Sequence, residues 1–384
     1  MTEVQGTCDD RFESVRDAFV ANFDQGLDVG ASVAVVLDGE PVVDLWGGSV
    51  DAEGETPWAE DTIINVWSTT KTMTALSALL LADRGELDLH APVARYWPEF
   101  KAGGKEAVEV RHLLAHTAGL SGWQEPMAPD DLYDWEKATS LLAAQEPWWE
   151  PGTASGYHAI TQGYLIGEVV RRASGAASLG AFFHDELAGP LGADFHIGTG
   201  AEHDDRVAAV IAPASVPEQM AEVFGSLGAD HVAVKTLTNP MLDAAQSATV
   251  PWRRAEIPAA GGHGNARSVA RVQSVLACRG EVDGRRYLSE AGCRVVFEEQ
   301  ASGTDLVLFA PLRLGIGYGL TSPEMPFGPN ANVCFWGGWG GSIVVVDQDA
   351  RLCVAYVMNR MGEGTLGDLR GASLVGAAYA SLAA

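Results

Sequence analysis

Ser68 and Lys71, in the run Asn65-Val66-Trp67-Ser68-Thr69-Thr70-Lys71-Thr72-Met73-Thr74-Ala75-Leu76, form an S-x-x-K pair, the spacing that makes a serine nucleophile without a histidine. Such a pair points to acyl transfer. From Met73 to Asp83 the chain is rich in Ala and Leu with apolar residues at helical intervals, so Ser68 is expected in the first turn of a buried helix. Residues i and i+3 share a helix face, which sets the Lys71 amine beside the Ser68 hydroxyl. Burial lowers an amine's pKa, so Lys71 could take the serine proton near neutral pH. The N-terminal end of the helix offers free N–H groups where an oxyanion would develop. The chain has only five lysines, and at ordinary serine frequency about one such sequence in four carries the pair by chance. Context has to decide.

Two further segments supply it. Ser155-Gly156-Tyr157-His158-Ala159 is a polar turn leading into the apolar helical pattern Ile160 to Ala173, with Tyr157 at its mouth. Phe335-Trp336-Gly337-Gly338-Trp339-Gly340-Gly341-Ser342 precedes the strand-like run Ile343 to Val346, and its glycines let backbone approach a ligand closely. Other catalytic signatures fail. No serine has glycine at both −2 and +2, which excludes the nucleophile elbow. His112 and His116 have helical i, i+4 spacing, but Leu113 stands where a zinc protease needs glutamate, so a structural role is expected. The glycines at 337–341 do not fit the dinucleotide fingerprint, because a strand follows them. No cofactor and no metal are expected.

With these three segments in place, the chain resembles the serine β-lactamase and penicillin-binding-protein superfamily, and within it the family VIII carboxylesterases that share the class C β-lactamase fold. Nearly the whole chain takes part, including Leu113-Leu114-Ala115-His116-Thr117-Ala118-Gly119-Leu120, Gly262-His263-Gly264 and Gly315-Ile316-Gly317-Tyr318-Gly319-Leu320. The resemblance implies that Ser68 attacks an ester carbonyl while Lys71 and Tyr157 move its proton, and that the N–H groups of Ser68 and Trp339 form the oxyanion hole. Tyr157 can act as a base only if positive charge favours its phenolate or shares its proton, and Lys71 is the available cation. Trp336, Gly337, Gly338, Trp339 and His158 would bind substrate. β-Lactamases of this fold read Y-A-N where this chain reads Tyr157-His158-Ala159, and K-T-G where it reads Trp336-Gly337-Gly338, so an amide and a cation are missing. Lys235-Thr236 resembles a fragment of the latter motif, but Leu237 replaces its glycine and the position precedes the last strands. The expected reaction is hydrolysis of a neutral, short-chain or apolar carboxylic ester. β-Lactam or amide hydrolysis and acyl transfer remain alternatives, as does a non-catalytic binding or scaffold role.

The elements that must position these residues are legible in outline. At 384 residues, 47% of them hydrophobic, the chain can build a large core. The resemblance and the pattern agree on an α/β (α+β) fold, an antiparallel sheet flanked by helices with an inserted helical region. Residues 1–84 and 258–384 would form the α/β domain and 85–257 the mostly helical one. Phe12 to Phe23 reads as an amphipathic helix, and Ala31–Leu37 with Pro41–Leu45 as a hairpin about Asp38-Gly39-Glu40. Leu179–Ala188, Ser268–Cys278 and Thr365–Ala384 read as further helices; Val295–Glu298, Leu306–Phe309, Ile343–Val346 and Leu352–Met358 read as strands.

Fifty-one acidic against 25 basic residues leave a formal charge of −26, which repels nucleic acid and anionic membranes and discriminates against anionic substrates. A small-molecule ester is the expected partner, and homo-oligomerisation stays open. The polar start of the chain lacks a signal-peptide core, and no run of about 18 apolar residues follows, so a cytoplasmic location is expected. Cys8, Cys278, Cys293, Cys334 and Cys353 are odd in number and scattered, as reduced thiols are. Cys334 adjoins the third motif and is either a packing residue or part of the site wall. Trp67, Trp123, Trp148, Trp149, Trp336 and Trp339 fall near the proposed site segments, where an aromatic cleft would suit apolar acyl or alcohol groups.

Overall fold

The computed structural model describes residues 2–213 and 224–383. Its centre is a nine-stranded antiparallel sheet: β1 (Val4–Cys8), β2 (Gly30–Leu37), β3 (Glu40–Gly48), β4 (Ala301–Thr304), β5 (Pro311–Leu314), β6 (Gly319–Leu320), β7 (Val333–Gly337), β8 (Ile343–Asp347) and β9 (Leu352–Met358). They lie in the order β1-β3-β2-β9-β8-β7-β6-β5-β4. The β2–β3 hairpin turns on Asp38 and Gly39, with φ of 53° and 89°, the left-handed pair that a two-residue turn matching strand twist requires.

Period-two alternation divides the sheet's side chains between two cores. Val33, Val35, Val354 and Tyr356 face α1 (Glu13–Asp24), through Val15 and Phe19, and the C-terminal helix Leu369–Ala383, through Leu374 and Ala378. Ala34, Val36, Ala355 and Val357 face the opposite core, which holds the nucleophile helix α2 (Thr70–Asp83) and the helix Ala266–Ala277. Because both faces are covered, β2, β8 and β9 read as unbroken apolar runs. The region between residues 85 and 257 contributes mostly helices, notably Trp135–Ala144 and α3 (Thr161–Ser174), which packs on α2. A small three-stranded sheet, Ile64–Asn65, His263–Gly264 and Phe195–His196, ties the approach to α2 to both portions of the chain. Among the described residues no helix is long and apolar enough to cross a membrane.

Several expectations are corrected. Val295–Phe297 is a 3₁₀ turn that ends the helix Glu290–Arg294, not a strand. Leu306–Phe309 is a turn, because the Asp305 carboxylate accepts the N–H groups of Val307 and Leu308 and folds the chain back between β4 and β5. Leu179–Ala188 is helical as expected, α-helix to Phe183 and π-helix from His184 to Ala188. β1 escapes the apolar pattern because it is a largely exposed edge strand.

α2 is buried on every side from Thr70 to Leu81, so its surroundings must come very close. Gly163 on α3 shows how close: a Cβ there would stand 2.3 Å from the amide nitrogen of Ala259 and 2.6 Å from the carbonyl carbon of Pro258. Gly163→Ala must therefore push back the 258–259 backbone, costing about 1–3 kcal/mol. A urea midpoint equal to that of the unsubstituted protein would show that this contact relaxes freely.

Candidate active site

Ser68 sits in the 3₁₀ turn Trp67–Thr69 that runs into α2, one step before the regular helix and not within its first α turn. Trp67 has φ of 50°, an outlying conformation for a bulky residue, immediately before the serine. Three contacts over-determine this turn. Thr70 Oγ1 donates to the Trp67 carbonyl at 2.6 Å and accepts the Gly262 N–H at 2.9 Å. Ser342 Oγ donates to the Val66 carbonyl at 2.8 Å, which fastens the turn to the start of β8.

Lys71, one turn along, is 1% exposed, and its Nζ lies 2.9 Å from Ser68 Oγ, 2.7 Å from the Ala159 carbonyl and 2.9 Å from the Ala259 carbonyl. Among the described residues no carboxylate forms an ion pair with it, and burial drives the amine well below its ordinary value. A neutral amine has two hydrogens and one lone pair. The two carbonyls take the hydrogens, and the lone pair is left facing the serine hydroxyl.

Tyr157 Oη lies 2.5 Å from Ser68 Oγ, and Lys71 Nζ is 4.8 Å from the centre of its ring. Burial raises the phenol's pKa; hydrogen bonding by Ser68 opposes this, and the Asp305 carboxylate reinforces it. Burial lowers the Lys71 pKa and raises that of Tyr157, which favours the neutral amine and the protonated phenol.

β7 carries the third motif to the serine. A Cβ on Gly338 would stand 2.4 Å from the Val66 carbonyl oxygen and 3.3 Å from the Ser68 nitrogen, an approach open only to glycine. Trp339 follows in the turn, half-buried, with its ring 5.0 Å from that of Trp67. Neither the Ser68 nor the Trp339 amide donates a hydrogen bond among the described residues, so both stay free for an oxyanion.

The remaining residues expected to meet substrate divide. Trp336 is 1% exposed and stacks on His116 at 5.2 Å, with its Nε1 lacking a geometric partner. Gly337 is covered by the Leu366–Gly367 backbone. His158 is fully buried; its Nε2 accepts the Leu120 N–H at 3.1 Å and its Nδ1 faces the Gly156 carbonyl at 2.6 Å. All three are buried in the structure. Burial, opposed by the hydrogen bond to the Gly156 carbonyl, pushes the His158 imidazole down to about 3, so it is neutral. Lys235 lies over the Trp148 ring at 4.4 Å and Thr236 pairs with Ser121, which accounts for both without the serine. Cys334 packs in the main core and not in the wall, Trp123 donates to the Ala138 carbonyl deep among helices, and all five cysteines are free. Tyr157 and Trp336 belong to a small apolar cluster with Ala233, Val307, Leu312 and Leu366, against which Ala159 and Leu237 pack.

Two polar residues of the site had no signal of their own in the sequence. His112 caps its own helix through Nδ1, whereas His116 turns away and reaches Tyr157 and Trp336 with its ring. Asp305 arrives from a segment whose composition reads as strand. Only the tertiary contact distinguishes it from the other acidic residues.

The lowered pKa of Lys71 has a thermodynamic consequence. In the unfolded chain the amine holds its proton up to about pH 10.4, so between the folded value and that limit unfolding takes up a proton and stability rises with pH. Lys71→Met removes this linkage. The unfolding free energy of the unsubstituted protein minus that of Lys71→Met should therefore grow between pH 7.5 and 9.5, by up to about 1.4 kcal/mol per pH unit. Urea titrations giving parallel pH dependences would mean that the folded lysine is charged.

The Beta-lactamase family profile matches residues 19–377. Esterase/beta-lactamase LipL of Mycobacterium tuberculosis is 37% identical over 364 residues, which span 93% of this chain and 83% of LipL. The crystal structure of a family VIII carboxylesterase superposes with a TM-score of 0.92 at 43% identity, covering 99% of this chain and 100% of that one. A penicillin-binding protein homolog from Caulobacter crescentus superposes with a TM-score of 0.91 at 38% identity over 99% of this chain and 100% of its own. With the profile spanning nearly the whole chain and the fold shared at this level, the protein belongs to the beta-lactamase family of hydrolases and has esterases among its relatives.

Proposed function

We propose that the protein is a serine carboxylesterase that hydrolyses neutral carboxylic esters through an acyl-enzyme on Ser68. The observation that carries this reading is the Lys71 amine, held by two carbonyls with its lone pair 2.9 Å from Ser68 Oγ. Ser68 Oγ attacks the ester carbonyl carbon as its proton passes to Lys71 Nζ. The new ammonium faces the Tyr157 ring at 4.8 Å, a cation–π contact that the neutral amine lacks. Negative charge on the carbonyl oxygen is met by the N–H groups of Ser68 and Trp339, a feature typically worth about 3–4 kcal/mol of barrier per donor. When the ester C–O bond breaks, Tyr157 Oη gives its proton to the leaving alcohol and regains one from Lys71. Water then attacks the acyl carbon by the reverse sequence and releases the acid, restoring the Ser68 hydroxyl.

Substrate preference follows from the walls. Trp336 stands where the fold's β-lactamases carry a cation and Ala159 where they carry an amide, and both pack in the apolar cluster around Tyr157. A carboxylate would lose its hydration against aromatic and aliphatic groups without gaining a partner. Relatives and structural neighbours described as esterases agree with this preference.

Ser68→Ala should abolish turnover of p-nitrophenyl esters in a folded protein, and an organophosphonate should leave a single adduct on Ser68 by mass spectrometry. An adduct on another serine, or an active Ser68→Ala protein, overturns the assignment. For a neutral p-nitrophenyl ester, kcat/KM should exceed that for a chromogenic cephalosporin by more than about a thousandfold, since the missing charge-assisted contact and its desolvation together approach about 4 kcal/mol. Comparable values would show that some other residue supplies a cation to the substrate carboxylate.

A further inference from the structure

Tyr157 has to donate to Ser68 from a turn, and a turn is the least rigid place to hold a proton donor. Three successive amides of that turn are nevertheless all engaged. The Gly156 N–H donates to the His116 carbonyl at 3.0 Å, the Tyr157 N–H to Asp305 Oδ1 at 3.0 Å and the His158 N–H to His116 Nδ1 at 3.0 Å. Two side chains far apart in sequence thus grip one peptide segment from two sides. The His116 ring meets Tyr157 edge-on at 5.2 Å and stacks on Trp336, so the same residue also fixes the phenol laterally.

Both grips are expensive. His116 holds φ of 60°, a left-handed conformation that histidine adopts seldom, and burial drives its imidazole well below its ordinary value, keeping it neutral as an acceptor. Asp305 is fully buried. Its Oδ1 accepts from Tyr157, Val307 and Leu308, and its Oδ2 has no partner among the described residues. A carboxylate with one oxygen orphaned in the interior is a poor way to close a turn, since desolvation is only partly compensated. The Leu306 N–H donates to the Ser155 carbonyl at 2.9 Å, so the whole 305–310 turn is docked on the residues that precede Tyr157.

We infer that Asp305 and His116 are positioning residues that hold Tyr157 in register to protonate the leaving alcohol. This inference rests on the general-acid role of Tyr157 given above. Neither residue touches the reacting atoms; both act through the Gly156–His158 backbone, and His116 also through its ring against that of Tyr157.

A positioning role is separable from a merely structural one by the leaving group. p-Nitrophenolate departs without protonation, whereas an alkoxide needs Tyr157. Asp305→Ala should therefore raise the ratio of kcat/KM for p-nitrophenyl butyrate to that for ethyl butyrate by at least about tenfold, in the direction of Tyr157→Phe, measured beside it. Asp305→Asn keeps an oxygen acceptor for the three amides and should return the ratio to within about threefold of the unsubstituted protein's. His116→Gly permits the left-handed backbone and removes only the ring; it should raise the ratio likewise, and it tests the inference even where Asp305→Ala folds poorly. If Tyr157→Phe raises the ratio while Asp305→Ala and His116→Gly leave it unchanged, the inference is overturned. Should Tyr157→Phe itself leave the ratio unchanged, the general-acid reading falls and the inference with it.

Discussion

An amine buried among two carbonyls and one hydroxyl has no room for a charge, and the site is built on that fact. Lys71 is held where its two hydrogens are spoken for and its lone pair can go only to Ser68. The carbonyls come from Ala159, after the second motif, and Ala259, before the Gly262 segment. Holding one nitrogen dry and neutral therefore requires α2, α3 and the 258–264 stretch to close around it, and the glycine at 163 is where that closure is tightest. Such a site creates its base by the cost of solvating a charge rather than by adding a second ionisable group.

The same low polarity sets the protonation of everything near it. Burial favours the neutral forms of His116 and His158 and the protonated form of Tyr157. In the proposed reaction, new charge appears when Ser68 gives up its proton. At that moment the ammonium meets an aromatic face and two carbonyls, while the oxyanion meets backbone amides. All of these groups are in place beforehand, so little has to reorganise during the reaction. The Tyr157 and His158 amides are held by Asp305 and His116.

Legibility in the sequence follows the range of the interactions concerned. The nucleophile helix, the β2–β3 hairpin, β8, β9 and the helices near 160–174 and 266–277 are visible because their apolar periodicity is local and both faces of the sheet are covered. The turn at 306–309 reads as strand because Leu-Val-Leu-Phe is an apolar run. What folds it is a single carboxylate at 305 that accepts its amides, and nothing in local composition says so. The identities of Ser68, Lys71 and Tyr157 could be picked out from spacing and motif context. The placement of Trp336, Gly337 and His158 could not, since adjacency to a motif does not tell which way a side chain points.

By itself, then, the sequence determined which elements form and which three side chains could share a proton, because period, spacing and residue type are properties of neighbours along the chain. Tertiary structure alone decided the protonation states. Whether Lys71 is charged depends on what lies within a few ångströms of its nitrogen, and that shell is supplied by residues 159 and 259, some 88 and 188 positions away. It also decided that His116 and Asp305 meet on either side of the Tyr157 backbone. Desolvation and hydrogen-bond satisfaction act through space, so no reading of local pattern can weigh them until the chain has closed.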